Sequence, residues 1–460
     1  MFDTSKILVL SLSMLVSGLS LRTDAAQPLG LQQAIGLAQS NDPWLHASKL
    51  NQHAIEMESV AASALPDPKV SISMANLPTD SWDINQEPMT QFKVGMSQML
   101  PRGDELAIKQ SQLKIDASKH PLLREDRKAK LSAQVAQQWL DAFLAQQTIA
   151  LINKDKELFV QLVDAVKASY ASTSGNTRQQ DVIRAQLELV QLDDRLTLQY
   201  QALDTAIANL NPWLFEYNNR ATSNGLNIDG SPIFLSVEKQ LPQIALQHGE
   251  QLNRAHFSRA MLAKLVANHP AIKAIDIEEQ VARKGVELAH QRYKPQWQLN
   301  ASYALRDDTP MGENRADFFS VGVTFDMPLF SRNRQDKLVS ASISQSEAIK
   351  TQKLLKLKNT ITEIEKELKN LQRLSQREAL YQSQLLNQTY QQAEAAVTAY
   401  TNDDGNFAEV VRSRISELNT RITALSIQVD KLKTITRINY FLTQSSDQSS
   451  HYNGKNHDFN

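Results

Sequence analysis

The sequence predicts a mainly α fold with a small β part, built from two copies of one structural unit. Three observations carry this expectation. FKVGMSQMLP at 92–101 returns in register as FSVGVTFDMP at 319–328; long stretches repeat apolar residues every three or four positions; and four short stretches alternate instead. Glycine is scarce, 14 among 460 residues, while Gln, Ala and Leu abound, which is a helical composition.

Taken in chain order, residues 1–26 read as a secretory signal peptide. A lysine precedes an apolar run from Ile7 to Leu19, and small residues end at Ala25-Ala26. An uncleaved anchor is the alternative, against which the shortness of the run counts. No other stretch approaches the roughly 18 apolar residues of a membrane helix.

Repeat 1 is assigned to 27–240 and repeat 2 to 241–442. Phe92 and Phe319, Gly95 and Gly322, Pro101 and Pro328, Pro43 and Pro270, and Pro68 and Pro295 all stand 227 residues apart. One constant offset across helices and strands marks internal duplication. Each half runs helix, proline break, helix, proline, strand, loop, strand, proline, long helix.

The strands are expected near 69–77, 90–100, 297–306 and 317–327. Phe319, Val321, Val323 and Phe325 alternate with Ser320, Gly322, Thr324 and Asp326, and Leu299 and Tyr303 alternate with Asn300 and Ser302. One face is apolar and the other polar. A soluble sheet packed on helices and a wall segment of a membrane barrel both fit that pattern. Export, the lack of a membrane helix, and long helices flanking each strand pair together favour the barrel. Four strands cannot close one, and an open edge in lipid costs several kcal/mol per unsatisfied group. Two copies would supply eight strands, whose interior side chains nearly fill, and three would leave room for water, which favours a ring of three or more.

The long helices begin after Pro101 and Pro328. From Asp104, the expected N-cap, periodicity runs to about Tyr170 through Leu131, Val135, Trp139, Phe143, Leu158, Leu162 and Val166, with a kink expected at Pro121. Leu354, Ile361, Ile364, Leu368 and Leu371 repeat likewise. Gly175 and Gly405 interrupt the helices as hairpin turns, near 172–180 and 401–408. Between the halves, 211–240 breaks the helical pattern, and 443–460 is polar, aperiodic and expected to be disordered.

Other chemistry is poorly supplied. A net charge of −1 offers no nucleic-acid footprint. The absence of cysteine removes disulfides, thiol catalysis and a lipidated N-terminal Cys. Nine histidines lack ligand spacing, DDGN at 403–406 has Tyr400 where a calcium loop needs its first Asp, and no phosphate loop or hydrolase motif occurs. No metal, cofactor or enzymatic activity is therefore expected. Met74, Met89, Met96, Met99, Met311 and Met327, near the strands and loops, read as packing or lipid-facing residues.

SNDPWL, ALPDPKV at 64–70, NLP at 76–78, EPMTQFKVGMSQMLPRG at 87–103 and VGVTFDMPLFSRNR at 321–334 resemble the TolC-like outer-membrane factor family, most nearly its heavy-metal branch. The resemblance implies a homotrimer in the outer membrane of a Gram-negative bacterium. Four strands per chain would make a 12-stranded β-barrel that continues into a long α-helical barrel crossing the periplasm. Such a protein is the exit duct of a tripartite efflux pump, joined through a periplasmic adaptor to an inner-membrane transporter of the resistance-nodulation-division type. Drug or dye efflux is the alternative cargo, and a periplasmic coiled-coil adaptor the alternative role. Pro101 and Pro328 become strand-to-helix transitions, and Asn300, Ser302, Ser320, Thr324 and Asp326 face the lumen. The insertion at 211–240 joins a belt around the helical barrel. YASTSGNTRQQDVIR and YTNDDGNFAEVVR become the periplasmic tips. There Asp181 and Glu409 stand where the family places an acid, each with an arginine, Arg184 or Arg412, three residues on as its expected partner.

Overall fold

The computed structural model describes residues 28–171, 178–214, 236–249, 258–402 and 405–445. The expected signal peptide, Gly175, most of the insertion and residues 446–460 of the tail lie outside the described residues.

Helices α1 (Leu31–Asn41) and α2 (Pro43–Ala61) lead into strands β1 (Lys69–Ala75) and β2 (Gln91–Leu100). Helices α3 (Glu105–Ala117), α4 (Lys119–Ala171) and α5 (Gln179–Leu214) follow. The second half brings α6 (Arg259–Ala267), α7 (Pro270–Gln291), β3 (Trp297–Leu305) and β4 (Phe318–Phe325). Helix α8 (Gln335–Leu380), a π-helical turn (Tyr381–Leu385), α9 (Leu386–Thr401) and α10 (Phe407–Phe441) close the order. The protein is mostly helical with one antiparallel sheet, ordered β1-β2-β3-β4. Among the described residues no helix is long and apolar enough to cross a membrane.

The second helix of each half starts with proline. Asp42 precedes Pro43 and caps α2 by accepting from the Trp44 amide at 3.2 Å; its other oxygen takes Arg127 Nε at 2.7 Å. His269 precedes Pro270 and caps α7 by accepting from the Ala271 amide at Nδ1, 3.2 Å away, while Nε2 donates to the Tyr440 carbonyl at 3.0 Å. Proline at the first helical position forfeits only an amide that would lack a partner anyway.

The expected single rod from Asp104 to Tyr170 is two helices. The first stops at Ala117 and the second starts at Lys119, with Pro121 inside its first turn. A proline ring collides with the carbonyl four residues before it, here that of Ala117, so the break falls upstream of the proline. Asp104 sits at the N-terminus of α3 but does not cap it; its carboxylate takes Lys294 Nζ at 3.0 Å. Helix α4 alone is ~80 Å long at ~1.5 Å per residue.

Three apolar clusters run along the helices. One gathers Leu29, Leu31, Ala34, Val135, Trp139 and Leu210; Trp139 is fully buried and its indole donates to the Leu29 carbonyl at 2.8 Å. Another joins Phe159, Val163 and Val166 of α4 to Leu192 of α5 and Phe407, Val411 and Leu418 of α10. The third links α6, α7, α8 and the end of α10 through Leu262, Ile272, Ile364 and Ile438. The expected stripe slips in places. Leu158 is exposed while its neighbour Phe159 is buried, and Leu354 is 66% exposed, uncovered among the described residues. Helix α5 continues through Pro212 to Leu214, three residues past the expected start of the insertion, since a proline in the last turn disturbs little beyond it. The tail begins with ordered residues: Ser445 donates its amide to the Asn268 carbonyl at 3.0 Å.

Candidate functional site: the sheet and the helical tips

The sheet register sorts side chains onto two faces. Trp297, Leu299, Ala301 and Tyr303 stand opposite Phe325, Val323, Val321 and Phe319. Across β2 and β1 the same face continues through Leu100, Gln98, Met96, Val94 and Phe92 to Val70, Ile72 and Met74, with Gln98 its one polar residue on these two strands. The other face carries Lys69, Ser71 and Ser73, then Lys93, Gly95 and Ser97, then Asn300 and Ser302, then Ser320, Gly322 and Thr324. Asn300 donates to Thr324 Oγ1 at 3.2 Å on that face.

Neither face is covered by the chain itself. Val70, Ile72, Phe319 and Val321 are each about 70% exposed, and every residue of β4 is exposed. The apolar face holds no charge. Among the described residues no strand lies beside the outer edges of β1 and β4, so two rows of backbone groups await partners. A ten-residue strand at ~3.3 Å per residue, tilted ~45°, rises ~23 Å, close to the apolar band of a membrane barrel.

At one end, the strands turn into helices through a tied junction. Arg102, next to Pro101, forms an ion pair with Asp326 and donates from Nη1 to the Lys294 carbonyl at 2.9 Å. Asp326 Oδ1 also accepts from the Gln296 amide at 2.6 Å. That bond, with Arg102 beside it, holds the Asp326 carboxyl below its usual range, against an opposing effect of burial. Asp326 shares the parity of the polar face but lies past β4, and its carboxylate is occupied rather than free. Gly103 has a φ of +49° and lies against the Lys294 side chain. Pro328 stands three residues beyond β4. At the other end, Arg315 reaches the carbonyls of Asn85 and Glu87 at 3.4 Å, binding the two hairpin loops together.

The tips differ from one another. Glu409 and Arg412 form the expected pair, Nη1 to Oε2 at 2.7 Å, on an exposed face. Asn406 caps α10 by accepting from the Ala408 amide at 2.9 Å. Asp181 is buried and does not pair with Arg184; its carboxylate reaches back to the Arg178 amide at 3.1 Å and caps α5. The physical reason is position: Asp181 is the third residue of α5, from which a carboxylate reaches back to the amide of the residue that precedes the helix. Gly405 is required by proximity, because a Cβ there would lie 2.6 Å from the Tyr400 backbone nitrogen.

Charged pairs bridge the helices above the tip: Asp155 to Arg421 at 3.1 Å, Glu394 to Arg414 at 2.7 Å, and Glu378 to Lys431 at 2.7 Å. Sequence periodicity did not reveal these contacts, which join residues far apart in the chain. Lys69 and Lys93 on the polar face were also missed, although the alternation in KVSISMA and QFKVGMS contained that signal. Among the described residues no group of His, Cys, Asp or Glu is arranged to hold a metal ion.

No family model matches the sequence, and no curated protein matches it. Solved structures do. The chain is similar to CusC, whose structures address folding and transmembrane channel formation, with a TM-score of 0.68 and 16% identity over 90% of this chain and 92% of that one. It is similar to the outer membrane protein VceC of Vibrio cholerae, with a TM-score of 0.70 and 13% identity over 90% and 96%. The CmeC outer membrane channel of Campylobacter jejuni gives 0.70 and 12% over 91% and 87%. At such identities the likeness concerns the fold, and it extends over almost the whole chain.

Proposed function

We propose that this protein is the outer-membrane exit duct of a tripartite efflux pump. Three copies pair β4 of one to β1 of the next, closing 12 strands into a barrel whose polar face lines a water-filled lumen. The helices continue the duct into the periplasm, where the tips meet an adaptor that links them to an inner-membrane transporter of the resistance-nodulation-division type. The observation that carries this reading is the sheet: one uncharged apolar face left bare, one polar face left bare, and two unpaired edges. In water such a sheet is an aggregation hazard; in lipid, closed on itself, it satisfies every backbone group. Fractionation of cells making the full-length protein tests it. A heat-modifiable trimer in the outer membrane is expected, whereas a soluble periplasmic protein means an adaptor instead.

The cargo we propose is a heavy-metal cation, on the branch resemblance of ALPDPKV, NLP and SQMLPRG. CusC on one side and VceC and CmeC on the other fit the fold about equally, so the fold is neutral on cargo. Loss of the gene is expected to raise sensitivity to copper, silver, zinc or cobalt more than to dyes or detergents. Unchanged metal tolerance with new dye sensitivity assigns the duct to drug efflux.

A further inference from the structure

Within the four strands the charged residues are Lys69 and Lys93 alone, and both belong to the polar face. Lys93 lies between Ser73 and Ala304, with Phe318 at the end of the row; Lys69 lies beside Ser97, with Asn300 and Gly322 beyond. The row between them is Ser71, Gly95, Ser302 and Ser320, all small. Four residues of strand separate the two charged rows, ~13 Å at ~3.3 Å per residue.

Nothing on the sheet neutralises these ammonium groups, and neither forms an ion pair among the described residues. Two carboxylates at the strand ends are engaged elsewhere. Asp317 accepts from the Tyr303 hydroxyl at 2.6 Å and the Arg306 amide at 3.0 Å, and Asp326 is held by Arg102. Asp67 precedes Lys69 by two residues and Asp307 follows β3 by two at the Lys93 end, both outside the strands.

We propose that the polar face forms a positively charged section of the duct that favours anionic solutes over cations. The inference rests on the exit-duct reading, in which three copies turn each lysine row into a ring of three ammonium groups. A low-dielectric wall focuses the field of such rings into the lumen, and salt screens it over ~8 Å at physiological ionic strength. A wide, wet pore therefore shows a preference of a few fold rather than strict selection. A bare metal cation still passes this section, against a handicap of the same few fold.

The test is the reversal potential of the purified full-length protein in planar bilayers under a potassium chloride gradient. Lys69→Gln with Lys93→Gln is expected to lower the chloride-to-potassium permeability ratio by about threefold, for a field partly screened by salt. Lys69→Arg with Lys93→Arg is expected to keep the wild-type ratio and shows that charge, not a distorted sheet, is responsible. A Gln variant that still conducts with the wild-type ratio overturns the inference and leaves the duct intact. A wild-type protein that forms no channel rejects the duct itself.

Discussion

Two acids at matching places in the two tips do different work. Asp181 spends its carboxylate on the helix terminus, and Glu409 spends its own on Arg412. Removing a capping acid costs about 1 kcal/mol, whereas an exposed ion pair contributes about 0–1 kcal/mol. Asp181→Ala is therefore expected to lower thermal stability slightly, and Glu409→Ala with Arg412→Ala to leave it nearly unchanged. If the exposed pair links neighbouring hairpins at the tip of the duct, that double variant raises single-channel conductance in planar bilayers. Unaltered conductance places the closure elsewhere along the helices.

At the scale of elements, the start of α7 is a pH-sensitive joint. His269 is buried against Tyr440, and its Nδ1 serves as the helix cap. Burial holds the imidazole below its usual 6.5, reinforced by Lys356 and opposed by Asp126 and the Tyr440 carbonyl. The unfolded chain therefore takes up its proton first as pH falls. The stability this group supplies is complete above about pH 6.5 and is lost as pH drops through the lower folded value. His269→Asn keeps a capping acceptor and cannot charge. Thermal unfolding between pH 7.5 and 5 is expected to fall less steeply in that variant than in the wild type. Equal slopes assign the pH dependence to other groups.

For the whole molecule, the two bare faces of the sheet carry the argument. The cysteine-free chain permits single introduced thiols without background. Cysteines at Asn300, Ser302, Ser320 and Thr324 are expected to react with an impermeant thiol reagent in intact outer membranes. Cysteines at Leu299, Tyr303, Phe319, Val321 and Val323 are expected to stay unlabelled in lipid. Equal labelling of both sets shows that the strands do not form a barrel wall.

The amphipathic faces of the strands were legible in the sequence, because a period of two separates Phe319 and Val321 from Ser320 and Thr324 whatever surrounds them. So were the long helices and the tip at Gly405, since apolar spacing and a lone glycine are local properties. Contacts between distant segments were not. The release of Asp181 from Arg184, the occupation of Asp326 by Arg102, the break at Ala117 and the burial of Phe159 in place of Leu158 depend on which groups the fold brings within a few ångströms. Local sequence sets which conformations and faces a segment offers. Tertiary structure decides which partner each charge and each apolar face meets, because those energies depend on distances that no local pattern encodes.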